Sequence, residues 1–471
     1  MLVLAIDLGT TWCKAAYIDP EGRVVAIGNG YSRFSMGHGI SQPELERIWG
    51  AICSAVRAAT DAARGGPPQA IGISCRGGTT LWLNRLGQSI PVQAYLDGAA
   101  MSRVIQATHQ ADIWGSAGPF AYGYVPALIG RTVWLKQREP SVWRQVARVG
   151  TLRDWLTNRL VGSWVTDPAT GPGYAAWPPE AVALSELPLE AFPIVMEPEQ
   201  PIGNLTPEAA RDLGLPRHTI VVVGTHDGVA ANIGGGAISH GDVCLTLGSH
   251  FVLRAVTGAR VPGAFGYPIL RDRWAWVRGV HGIAAQLDAV IEAVDHRDPP
   301  ILPSHHANLT ALAASVPPGS EGLRLQVLPP GFEAEQRRRI DGARNQGYSP
   351  GAVYRAALEG AAAAVRNLVE AATAAGVIPN RYVVTGGAAA NRVLLGIIAG
   401  LLGVPLEVAR PEAGLLGAAV LAAVGAGWFD DILHAIAEMV QSGERLVEAE
   451  ATIRAYQALI TDLALPRKNA P

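Results

Sequence analysis

The chain reads as an α/β protein built twice, and three observations predict this. Residues 6–18, IDLGTTWCKAAYI, and residues 245–257, LTLGSHFVLRAVT, share one pattern. Each has an apolar run, a Leu-Gly turn, one or two hydroxyl residues and then an alternating strand. Strands open each half of the chain and long helices follow them, the order of a layered α/β architecture. Late in the second half, an apolar strand runs directly into Gly386-Gly387 and then a helix start.

The elements follow in order. Residues 2–7, 13–19 and 23–28 read as strands, with Asp19-Pro20-Glu21-Gly22 as the turn between the last two. Pro43-Glu44 opens a helix whose Leu45, Ile48, Ile52 and Val56 fall on one face. Residues 70–74, AIGIS, form a short apolar strand, and residues 150–160 a helix stopped by Gly162. Residues 178–207, rich in Pro and Glu, read as a surface excursion. Residues 219–224, TIVVVG, form a buried strand that delivers Thr225-His226-Asp227-Gly228. A domain boundary is expected after Gly234-Gly235-Gly236, giving one domain over 1–238 and another over 239–471. The second half restarts with strands at 243–247, 251–256 and 274–277. Residues 296–350 are Pro- and Arg-rich and poorly patterned. Ser349-Pro350 then starts a long helix ended by Gly376. Residues 381–385 form a strand, and Asn391 caps the helix whose apolar face includes Val393, Leu394, Ile397, Ile398 and Leu401. Residues 414–427, GLLGAAVLAAVGAG, read as a small-residue helix packed beneath the nucleotide loops.

At 471 residues, the chain can bury a core in each half. A formal net charge of −2 argues against a nucleic-acid surface or a basic membrane anchor. Its four cysteines are far apart, without C-x-x-C or metal spacing, which fits a reducing compartment. Asp7 comes too early for a signal peptide, and the uncharged stretch 413–429 is glycine-rich and short for a membrane span. A cytoplasmic protein is expected.

Three motifs carry chemistry. The Gly9 turn, with Thr10 and Thr11, suits terminal phosphates, and Asp7 beside it suits magnesium, a hard cation that prefers carboxylate oxygen. The plainer reading is a glycine-turn hairpin with an incidental Asp. Asp227, on a glycine-flanked loop after a buried strand, suits a general base. The plainer reading makes it the cap of a helix starting at Val229, with His226 a neighbour of no chemical role. Gly386, Gly387 and Asn391 suit a base or ribose, or form an ordinary strand-to-helix turn. There is neither a G-x-S-x-G elbow nor a Walker loop.

In order and spacing, these segments resemble the FGGY family of carbohydrate kinases, within the actin/Hsp70/sugar-kinase superfamily. The likeness spans roughly residues 2–430 and is carried by AIDLGTTWCKAAYID, GTLRDWLTNRLVGSWVTDPATGPGY, VVVGTHDGVAANIGGGAISHGDVCLTLGS, AALEGAAAAVRNLVEA and VVTGGAAANRVLLGIIAGLLGVPLEV. It implies two ribonuclease-H-like (actin-like ATPase) domains with ATP and sugar in the cleft between them. Asp227 then matches the catalytic base. Asp7 matches the magnesium carboxylate, with Asp227 beside the metal. Gly9, Thr10, Thr11, Gly248 and Ser249 match phosphate contacts, and Gly386, Gly387 and Asn391 the adenosine loop. The expected reaction is ATP- and magnesium-dependent phosphorylation of a ketopentose, polyol or related sugar, xylulokinase-like. Homodimers are common in the family.

The departures fall in the sugar pocket. Many members carry Gln-Met-His-Gly where this chain has Arg76-Gly77-Gly78-Thr79, and Trp-x-Asp-x-Arg where it has Tyr95-Leu96-Asp97-Gly98-Ala99. The second phosphate motif, usually Gly-Thr-Ser, is Gly248-Ser249-His250. Arg76, Thr79, Asp97 and Asp227 are the expected acceptor contacts. Arg76 suits an anionic acceptor such as an aldonate, or an ion pair. The alternative to an active kinase is a sugar-binding regulator of the same fold with impaired catalysis.

Overall fold

In the opening strand every side chain but Asp7 is buried, as is every one in Ala70–Cys75. Strands with both faces covered belong at the centre of a sheet. The computed structural model describes residues 1–33, 40–90, 92, 98–114, 118–295, 301, 303–329 and 331–459. It places Val3–Leu8 and Ala70–Cys75 side by side and parallel, with Asp7 opposite Ser74. On one side the sheet continues antiparallel through Trp12–Ile18 and Val24–Tyr31. On the other it continues through Ile220–Val222 and Pro201–Asn204. Thr225–His226 also pairs with Ala70–Cys75, which sets the helix start that follows at the carboxyl end of the central strand.

Helices cover both faces of this sheet. Gln42–Ala62 buries Leu45, Ile48, Ile52 and Val56 as the periodicity predicts, together with Trp49 and Ala59. It lies so close that a Cβ at Gly30 would come within 1.9 Å of the Ala51 carbonyl. On the opposite face runs Ala413–Gly425, where a Cβ at Gly72 would sit 1.9 Å from the Ala418 carbonyl. This glycine- and alanine-rich helix also meets Asp227–Gly234 backbone to backbone, since a Cβ at Gly417 would lie 2.0 Å from the Ala230 carbonyl.

The chain divides into two compact units that are not consecutive halves. The first comprises Met1–Ile238, Gly258–Ala275 and Glu412–Gln441; the second comprises Ser239–Thr257, Trp276–Pro411 and Ser442–Pro471. The small-residue helix therefore belongs to the first unit. Its small side chains serve a close approach to Ala70–Cys75 and Asp227–Gly234.

In the second unit the strand order is Arg273–Val280 (from Trp276 onward), Phe251–Thr257, Asp242–Leu247, Arg381–Thr385, Leu406–Val408 and Glu444–Leu446. Asp242–Leu247 pairs antiparallel with Phe251–Thr257 and parallel with Arg381–Thr385, the relationship its counterpart has in the first unit. Pro350–Ala374 starts at Ser349, whose Oγ accepts from the Ala352 amide.

Two stretches hold more structure than their composition predicts. Residues 178–207 contain Pro179–Ser185 and the edge strand Pro201–Asn204. A proline at the first position of an edge strand leaves the ladder intact. Residues 296–350 contain Pro303–Ala314 and Glu333–Asn345. The second of these buries only Gln336, Ile340 and Ala343, too few apolar positions for its period to be seen. Among the described residues, no helix is long and apolar enough to cross a membrane. All four cysteines are free.

Candidate active site

Asp7 is the penultimate residue of the opening strand. Its Oδ1 accepts from Ser74 Oγ at 2.6 Å. Burial pushes its pKa up to about 6; the Ser74 hydrogen bond opposes this, and the charges of Asp227 and Glu412 add to it. Lys14, directly across the hairpin from Asp7, makes an ion pair with Glu412 at 2.7 Å. Glu412 precedes the Ala413–Gly425 helix, and a Cβ at Gly414 would come within 3.5 Å of Asp7 Oδ2. Asp7 therefore lies against the first turn of a helix, where the positive end of the macrodipole favours a carboxylate.

The Gly9 amide closes the hairpin by donating to the Trp12 carbonyl at 3.1 Å. It is thus spent within the turn. Thr10 is half-buried and Thr11 exposed at the tip.

Asp227 is the first residue of the Asp227–Gly234 helix, and its side chain is 50% exposed. The cap of that helix is His226, whose Nδ1 accepts from the Gly228 amide at 3.0 Å. His226, not Asp227, therefore holds the cap position. The segment leading to this helix start is held by Arg153. Its guanidinium is buried, donates to the Val223 carbonyl at 2.7 Å, and pairs with Asp154 at 2.6 Å and Asp167 at 3.3 Å. Asp167 in turn accepts from Thr225 Oγ1 at 2.8 Å. Buried ion pairs of this kind hold a geometry more than they add stability.

The expected acceptor residues divide. Arg76 follows directly on Ala70–Cys75, and its amide donates to the Leu8 carbonyl at 3.1 Å. Its Nε is buried with no hydrogen-bond partner among the described residues. Thr79 is buried, and its Oγ1 accepts from the Leu152 amide at 3.1 Å, a structural use. Asp97 lies outside the described residues. The turn between Arg76 and Thr79 is braced by Arg131, which donates to the Gly78 carbonyl at 2.6 Å and Thr80 Oγ1 at 3.0 Å. A Cβ at Gly77 would lie 3.1 Å from the Tyr124 ring, a tight fit that a larger residue could keep only by shifting that ring. Tyr124 meets His226 and Phe265 edge to face. Lys14, Glu412, Arg153 and Tyr124 escaped the sequence reading. The cross-strand position of Lys14 opposite Asp7 was the one available signal.

In the second unit the Gly248 amide donates to the His250 carbonyl at 3.2 Å, closing the turn as Gly9 does in the first. Ser249 is exposed at its tip. At the base, Thr246 and Thr385 hydroxyls meet at 3.0 Å, and Arg254 donates to Thr246 at 2.7 Å. Gly386 has φ +92°, and a Cβ there would lie 2.5 Å from the Leu247 carbonyl. Both facts demand glycine. Gly387 faces open space. Asn391 caps Arg392–Leu402 by accepting from the Leu394 amide at 3.0 Å, and also donates to Thr310 at 3.0 Å.

The first unit thus sets a partly buried carboxylate beside a hairpin turn and a second, half-exposed one at a helix start on the sheet's carboxyl end. The chain belongs to the FGGY family of carbohydrate kinases: the family's N-terminal domain matches residues 2–234 and its C-terminal domain residues 270–426. It is 26% identical to the autoinducer-2 kinase of Klebsiella pneumoniae, over 94% of this chain and 88% of that protein. It shares the fold of the xylulose kinase of Rhodospirillum rubrum, with a TM-score of 0.79 at 23% identity, covering 98% of this chain and 97% of that one. The gluconate kinase of Lactobacillus acidophilus superposes equally well, with a TM-score of 0.79 at 21% identity and the same coverage.

Proposed function

We propose that this kinase transfers the terminal phosphoryl group of ATP to a hydroxyl of a small polyhydroxylated acceptor, a ketopentose, polyol or related sugar, with Asp227 as general base. The observation that carries this reading is Asp227 itself. It is half-exposed at the start of a buried helix that His226 caps, and Arg153 braces the segment leading to it. Asp227 takes the proton of the attacking hydroxyl as the new O–P bond forms and the bond to the β-phosphate oxygen breaks, releasing ADP. Such proton transfer is worth ~10²–10⁴ in rate.

The residues around Asp7 fit a magnesium ion. Asp7 is a desolvated carboxylate with Asp227 and Glu412 as anionic neighbours, and Lys14 is engaged with Glu412. Asp7, with Asp227, would hold the ion, whose charge would offset that of the phosphoryl group. No cluster of three or more His, Cys, Asp or Glu forms a self-sufficient metal site among the described residues. That fits an ion whose other ligands are phosphate and water. We assign residues 1–238 the acceptor and first phosphate contacts (Gly9, Thr10 and Thr11), and 239–471 the second phosphate contacts (Gly248 and Ser249) and the nucleoside contacts (Gly386, Gly387 and Asn391). On the acceptor side Arg76, Asp97 and Asp227 contact substrate, whereas Thr79 supports them through Leu152. A cytoplasmic location follows from the acceptor and nucleotide assigned.

The named relatives act on autoinducer-2, xylulose and gluconate. A matching panel of ketopentoses, polyols and aldonates is the test, read as ADP release and as phosphorylated product by mass. Turnover of at least one acceptor is expected. Sugar binding without turnover of any would reject the reading.

A further inference from the structure

We infer that His226 is a positioning residue for Asp227, acting as the cap that aims the base. This rests on the reading of Asp227 given above.

Histidine is not among the residues that usually cap helices; Ser, Thr, Asp and Asn are. Here the backbone of His226 is extended, at φ −79° and ψ 160°, and Nδ1 accepts from the Gly228 amide at 3.0 Å. An accepting Nδ1 leaves the ring proton on Nε2. That Nε2 is buried and has no hydrogen-bond partner among the described residues, and the whole residue is 1% exposed. Aromatic walls hold the ring instead. Tyr267 stands edge to face at 4.3 Å and 83°, and Tyr124 at 5.5 Å and 89°. Tyr124 is itself seated against the Gly77-Gly78 turn.

The arrangement is a chain of contacts with the carboxylate at its end. Tyr124 and Tyr267 fix the imidazole, the imidazole fixes the Gly228 amide, and that amide fixes the first turn of the helix on which Asp227 sits. Asp227 Oδ1 lies 3.7 Å from the ring nitrogen. An Asp at this position has an obvious competing use, which is to cap the helix by folding its own carboxylate back onto the amides. A histidine cap takes the Gly228 amide in its place, and the Asp227 side chain is 50% exposed.

The test compares His226→Asn with His226→Ala. An Asn side chain carries an acceptor oxygen at the reach of the Gly228 amide, and Ala carries none. Turnover is measured with ATP and the best acceptor from the panel above, beside amide hydrogen exchange of the peptide spanning 225–234. In H226A, kcat is expected to fall 10- to 100-fold, with KM for ATP and acceptor changed less than threefold and exchange faster in that peptide. H226N is expected to recover kcat to within about threefold of wild type and to restore slow exchange. If ring volume alone mattered, the two variants would be impaired alike, which overturns the inference. A kcat for H226A within twofold of wild type overturns it too. Asp227→Asn separates the two readings. If D227N is inactive while H226A is fully active, only the cap inference fails; if D227N is fully active, the reading of Asp227 as base falls, and this inference with it.

Discussion

Ser74 donates to Asp7 at 2.6 Å across two parallel strands, and the second unit repeats this relationship with Thr246 and Thr385 at 3.0 Å. The registers agree, with Asp7 opposite Ser74 and Thr246 opposite Thr385. The duplication thus extends from the hairpins to individual side-chain pairs. The partners differ in charge. The first unit places a partly buried carboxylate at this position, and the second a neutral hydroxyl that takes a hydrogen bond from Arg254.

That charge has a cost that can be measured. The Asp7 pKa is raised from 3.8 to about 6, so folding favours its protonated form. The contribution of Asp7 to stability is full below about pH 4 and is lost as pH rises through about 6. Ionised Asp7 then costs the unliganded protein up to about 3 kcal/mol near neutral pH. Asp7→Asn is expected to melt higher than wild type at pH 7.5 without magnesium, to match it at pH 4, and to lose phosphotransfer. Thermal melts at the two pH values check this. A lower melting point for D7N at pH 7.5 would contradict it.

Gly386 and Gly387 are adjacent but differ in what they tolerate. Gly386→Ala forces a Cβ against the Leu247 carbonyl at positive φ, and a loss of about 2–4 kcal/mol is expected. Gly387→Ala faces open space and should cost under about 1 kcal/mol. If Gly387 lies against the nucleoside, G387A should raise KM for ATP while the denaturant midpoint stays put.

Thr79→Val removes the acceptor of the buried Leu152 amide. A loss of about 1–3 kcal/mol is expected, with Thr79→Ser close to wild type. A variant T79V of unchanged stability but raised acceptor KM would return Thr79 to the list of substrate contacts.

Arg153→Met leaves Asp154 and Asp167 buried without their cation. Breaking such a cluster costs about 3–5 kcal/mol. Because Arg153 also holds the Val223 carbonyl, kcat should fall in whatever fraction remains folded. Urea unfolding with activity normalised to folded protein checks both effects.

Both hairpins, the strand at 70–74, the helix from Pro43 and the caps at Ser349 and Asn391 were legible because each depends on local pattern: apolar period, a turn residue, a cap. Gly386 was legible as a glycine, but its reason, the Leu247 carbonyl, comes from a strand far away in sequence. Arg153, Lys14, Glu412 and Tyr124 were not legible. Their partners are set by tertiary approach, and an Arg-Asp pair in a helical segment looks like any solvated pair. Residues 413–425 were legible as a tightly packed helix but not as a return to the first unit, since small residues indicate close approach without naming the partner. Thr79 looked like an acceptor contact because a hydroxyl after two glycines suits one; burial and the Leu152 amide give it another use.

The central claim is that Asp227 deprotonates the acceptor hydroxyl, and Asp227→Asn tests it most directly. Phosphorylated product would be quantified by mass with ATP, magnesium and a turned-over acceptor, beside a thermal melt and ATP binding. The account predicts a fall in kcat of ~10²–10⁴ with melting point and ATP affinity unchanged. Product formation by D227N within a few-fold of wild type would contradict it.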